Sequence, residues 1–157
     1  MDNRENKNYV NSILIINSKE LSLDDKINML LAILKGEPKL SRTIFNFLNS
    51  NDKLDFFTQN RTLFLIEELI DIVWYLPIRD KILEDVKSNI LELEILDIIQ
   101  NSNSSLKIDL KFEYICSNCS IKIPIFRDRC DNCLSIFTIR LNLKIIRDDI
   151  DLRYLSF

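Results

Sequence analysis

Leu106-Lys-Ile-Asp-Leu-Lys-Phe-Glu-Tyr-Ile-Cys-Ser-Asn-Cys119 changes the rhythm of this chain. Up to that point the apolar residues recur at helical spacing. Here Leu106, Ile108, Leu110, Phe112 and Tyr114 alternate with Lys107, Asp109, Lys111 and Glu113, a period of two that belongs to a strand with one buried and one wet face. The same alternation returns beyond the cysteines, where Phe137, Ile139, Leu141, Leu143 and Ile145 alternate with Thr138, Arg140, Asn142 and Lys144. Two such strands around a cysteine-bearing turn predict an antiparallel β-ribbon appended to a helical body, an α+β chain. The expected boundaries are a helical domain over 1–105 and a ribbon over 106–157, packed on the helices because so short a ribbon covers little of its own apolar face.

The turn between the strands holds every cysteine in the chain, as two CxxC pairs with ten residues between them: Cys116, Cys119, Cys130 and Cys133. Each pair can bend into a knuckle that points two sulfurs at one ion, and two facing knuckles supply four ligands at tetrahedral geometry. Such a set leaves no position open for substrate or water, so the reading is a structural site. Zinc is the first choice and iron the second, since four thiolates accept both. Two disulfides and a dithiol redox centre are the alternatives. The redox motif, however, expects its CxxC to open a helix in a βαβ unit, whereas both pairs here sit at strand ends. Ile121, Ile123 and Ile125 predict a brief third strand, which Pro124 confines to an edge. Knuckles commonly place glycine after the second cysteine; Ser120 and Leu134 stand there instead, and Asn118 and Asn132 are the residues expected to take up the unusual backbone.

These residues carry a resemblance. Tyr114 two before the first cysteine, the ligand spacing, and Thr138 five after the last cysteine resemble the rubredoxin-type metal-binding module of the lipopolysaccharide assembly protein B (LapB) family. That family's glycine is Ser120 here, its tryptophans are Asp128 and Ile136, and its proline is Asp131. The resemblance implies a bacterial adaptor in which a helical-repeat body joins a metal ribbon. It also implies a place at the cytoplasmic face of the inner membrane, where such proteins regulate lipopolysaccharide synthesis by presenting a biosynthetic enzyme to a membrane protease.

The rest of the composition narrows the function classes. The 157 residues are 46% hydrophobic and 29% charged, with a net charge of −3, a globular balance with room for a real core. The part before residue 105 is acidic and the part after it slightly basic; four thiolates on one divalent ion would add about −2 there. That weighs against a grip on nucleic acid built on phosphate neutralisation, although Lys122, Arg127, Arg129, Arg140 and Lys144 lie near the knuckles and keep a nucleic-acid-binding ribbon as the alternative. With a single glycine, Gly36, and no histidine, neither a phosphate loop nor an imidazole base is available, so no enzyme is expected. The N-terminus does not read as a signal peptide, and the apolar run Leu63–Leu76 falls short of the roughly 20 residues of a membrane span. The expectation is a cytosolic protein, where thiols stay reduced.

Within the helical part, Ser22 as N-cap, Gly36 as stop and Pro38 beyond it frame one helix whose buried stripe is Ile27, Leu30, Leu31 and Leu34. A second is expected from Ser41, burying Ile44, Phe45 and Leu48. Arg61–Leu76, apolar around most of its circumference, is expected to be the central helix, with Phe64 and Trp74 in the core and Glu67, Glu68 and Asp71 as its solvated stripe. One or two helices should follow over Asp80–Gln100, with a break at Ser88-Asn89. An irregular bundle and a degenerate helical repeat are equally open, since only one alanine, Ala32, is available for close helix packing.

Overall fold

The computed structural model describes residues 3–102, 107–147 and 150–151. Seven α-helices and a small antiparallel sheet among these residues make the chain α+β. It divides into two compact units, residues 1–69 and 70–157.

The first unit holds α1 (Asn3–Asn17), α2 (Leu23–Gly36), α3 (Ser41–Ser50) and α4 (Leu54–Gln59). α2 begins as its sequence dictates: Ser22 Oγ accepts the Asp25 N–H at 3.1 Å, and Asp24 and Asp25 face the positive end of the helix dipole. Ile27, Leu30 and Leu34 are buried, and Leu31 is half-buried. α3 buries Ile44, Phe45 and Leu48. Three rings close the core edge to face, with Phe57 5.0 Å from Phe45 and 4.9 Å from Phe64.

Arg61–Leu76 is not a continuous helix. It breaks into 3-10 turns at Arg61–Leu63 and Ile66–Glu68, followed by the short α5 (Ile70–Val73). Phe64 is extended, at φ −97° and ψ 143°. The reason lies in where the backbone bonds go. The Leu65 N–H donates to the buried Ser41 Oγ at 2.8 Å, and the Glu68 carbonyl accepts from Arg42 at 3.2 Å, so groups a helix would pair internally are held by side chains of α3. The break lets Phe64 and Ile66 both bury while Leu65 and Glu67 face out. Trp74 is half-buried, and Asp71, expected in solvent, is 8% exposed.

The second unit continues with α6 (Arg79–Leu83), a 3-10 turn at Lys87–Asn89 where the break was expected, and α7 (Leu91–Asn101). Its sheet has the order β2-β1-β3-β4, with β1 Ile108–Cys116, β2 Lys122–Ile123, β3 Ile139–Arg147 and β4 Ile150–Asp151. β1 and β3 pair antiparallel from Ile108↔Arg147 to Cys116↔Ile139, so Leu110, Phe112, Tyr114 and Cys116 share one face with Ile145, Leu143, Leu141 and Ile139. Leu110, Cys116 and Ile139 are buried, while Phe112 and Leu141 are half-buried. α7 packs against β1 and β3, and Tyr75 meets Phe112 edge to face at 6.2 Å. On the opposite face Lys144, expected to be wet, is buried and paired with Glu113. β2 is a two-residue edge strand ending just before Pro124. Leu106, Asp148 and Asp149 lie outside the described residues. No helix among the described residues is long and apolar enough to cross a membrane.

Candidate metal centre

The first knuckle grows from the end of β1 and the second from the loop before β3, and the two share one backbone pattern. Cys116 N–H donates to Ile121 O at 3.0 Å and Ser120 N–H to Cys116 O at 2.8 Å. In the second knuckle Cys130 N–H donates to Ser135 O at 2.8 Å and Leu134 N–H to Cys130 O at 2.9 Å. Closing each loop requires a left-handed residue at the position where glycine is the usual occupant. Ser120 and Leu134 both stand at φ 64°. Asn118 and Asn132 do not take up the unusual backbone.

The pattern brings all four sulfurs within 4.8 Å of one another. Cys116 Sγ lies 3.7 Å from Cys133 Sγ, and Cys119 Sγ 3.6 Å from Cys130 Sγ. Those distances are far beyond the roughly 2.05 Å of a disulfide, and all four cysteines are free. These two edges lie close to the sulfur–sulfur distance of about 3.8 Å that follows from tetrahedral bonds of about 2.3 Å to zinc. The donor set can therefore hold a metal ion. Cys116 and Cys130 are fully buried, and Cys119, Cys133, Tyr114, Ile123 and Phe126 pack against them.

Around the sulfurs the hydrogen bonding is uneven. The Cys116 thiol donates to Thr138 Oγ1 at 3.3 Å, and its Sγ accepts the Cys119 N–H at 3.5 Å. Ser135 Oγ lies 2.9 Å from Cys133 Sγ and 2.8 Å from Thr138 Oγ1, so two hydroxyls bridge the outer pair of ligands. Asn118 Nδ2 donates to Cys133 Sγ at 3.3 Å. Burial pushes the Cys116 thiol up, but the Thr138 hydroxyl and the N–H groups of Cys119 and Asn118 outweigh it and bring it down to about 5. The Ser135 hydroxyl and Asn118 amide lower Cys133 to about 7. For Cys130 the Cys133 N–H works downward, yet burial and the sulfurs of Cys119 and Cys116 prevail and raise it to about 11.

One tie runs from the centre into the helices. Tyr114, two residues before the first ligand, donates its hydroxyl to Asp71 Oδ2 at 2.8 Å and stacks edge to face on Phe126 at 6.0 Å. Asp71 was out of reach of sequence reasoning because its partner is 43 residues away. Ser135 was readable, as a hydroxyl two residues after the last cysteine. The basic residues near the knuckles are largely engaged: Lys144 with Glu113, Arg127 with Asp131 at 3.2 Å, and Arg140 with the Phe137 carbonyl at 2.7 Å. Of the apolar tip residues, Ile136 is buried, whereas Ile121, Ile125 and Leu134 are exposed. Comparison with family models, curated proteins and solved structures finds no match.

Proposed function

We propose that this chain is a noncatalytic, metal-stabilised adaptor, in which zinc on Cys116, Cys119, Cys130 and Cys133 fixes a β-ribbon that presents a surface to a protein partner. The observation that carries the reading is the convergence of four sulfurs within 4.8 Å of one another, two of the pairs at 3.6 and 3.7 Å. Every donor is then spent on the ion, which suits scaffolding rather than Lewis-acid chemistry. Ile121, Ile125 and Leu134, exposed on the knuckle-bearing loops, are the apolar side chains available to the partner. The engagement of Lys144, Arg127 and Arg140 favours a protein partner over nucleic acid. Control of lipopolysaccharide synthesis is the role that the ribbon's likeness to LapB attaches to this adaptor.

Elemental analysis of protein purified without a metal-affinity step should find one zinc per chain; iron is the other ion this donor set takes. Capture from the native cell, comparing the intact chain with Cys130→Ser, should then lose a defined partner. A membrane protease or a lipopolysaccharide enzyme among the losses supports the LapB-like role. Four freely titrating thiols and no metal would overturn the adaptor's metal centre.

A further inference from the structure

The four ligands are not equivalent towards an attacking molecule. Cys116 and Cys130 are fully buried. The two half-buried sulfurs differ in their surroundings: Cys133 is met by the Ser135 hydroxyl and the Asn118 amide, and the hydroxyl is itself braced by Thr138. Cys119 Sγ touches Cys130 Sγ and, among the described residues, receives no hydroxyl or amide donor. Hydrogen bonds to a metal-bound thiolate draw off the charge that makes it nucleophilic, so a sulfur that is accessible and lacks donors is the most reactive of the four.

We propose that Cys119 is a modification site, the ligand at which a soft carbon electrophile of the α,β-unsaturated carbonyl class opens the metal-bound cluster. Ser135, Thr138 and Asn118 act as positioning residues that hold Cys133 out of that reaction. The step balances without an oxidant. The Cys119 thiolate forms a bond to the β-carbon, the double-bond pair moves to the α-carbon, and that carbon takes a proton from water. The product is a neutral thioether, a far weaker ligand for zinc, and the ion leaves. Electrophile exposure is thereby coupled to loss of the ribbon's order. This inference deepens the adaptor reading and rests on it.

The test uses the full chain after its metal content has been measured, so an absent metal centre is recognised before any electrophile is added. N-ethylmaleimide, at one equivalent, is followed by peptide mapping, with released zinc read by a chromogenic chelator. The expected result is a first adduct on Cys119 at least tenfold in excess of Cys133, with one ion released per adduct. Ser135→Ala combined with Asn118→Ala should move adducts onto Cys133 while zinc stoichiometry is kept, and Ser135→Thr should restore the original map. First adducts on Cys133 or on the buried pair would overturn the proposal, as would an unchanged map in the variant stripped of donors. Should that double variant fail to retain zinc, Asn118→Ala alone, altered at an exposed residue, supplies the comparison.

Discussion

Leu134 holds φ 64° with 61% of its surface exposed, so it bears the cost of a left-handed backbone with little packing in return. For a residue with a Cβ that cost is about 1 kcal/mol. Leu134→Gly should therefore raise the urea midpoint of the metal-loaded ribbon by an amount equivalent to about 1 kcal/mol, and a lower midpoint would show that the side chain packs after all. The ligands themselves were legible because metal spacing is local. Asp71 was not: carboxylates on an apolar segment read as a wet stripe until Tyr114 arrives from a distant strand.

At the level of elements, the buried pair Lys144 and Glu113 ties β3 to β1 on the face opposite the apolar stripe, with side chains only 4% and 19% exposed. Lys144→Ala removes one charge of this pair and should cost about 3 kcal/mol, and Lys144→Met with Glu113→Leu distinctly less, because the double change removes both charges together. Equal losses in denaturant melts of the two variants would mean that the pair carries no mutual stabilisation. Strand alternation exposed β1 and β3 in the sequence to within two residues at each end, since one face of each strand carries the apolar residues. It could not reveal Lys144, which is buried and paired with Glu113 of the adjacent strand. The segment Arg61–Leu76 misled for a related reason: all-round apolarity signals enclosure, but the choice between helix and 3-10 turns was made by Ser41 and Arg42, whose side chains take the backbone groups that a helix would pair internally.

For the molecule as a whole, the first unit has a core of its own. Phe45 and Phe57 are fully buried and Phe64 6% exposed, each worth about 1.5 to 3 kcal/mol by burial, and none depends on the sulfurs. Chelation should therefore leave most of the helical circular dichroism in place while protease cuts appear between Cys116 and Cys133. Cooperative melting of both units on chelation would instead make the ion a keystone of the entire chain.

Trp74 is the only tryptophan in the chain. Its indole N–H donates to Asp109 of β1 at 3.2 Å, the guanidinium of Arg79 lies over its ring at 4.2 Å, and Asp71, three residues earlier, holds the tyrosine beside the first ligand. The strand that ends in Cys116 is thus tied near its start to the chain's one strong fluorophore. Withdrawal of the ion should loosen β1, release the indole N–H from Asp109, and move the emission to longer wavelength. The protein carries its own optical gauge of metal occupancy, readable without any label.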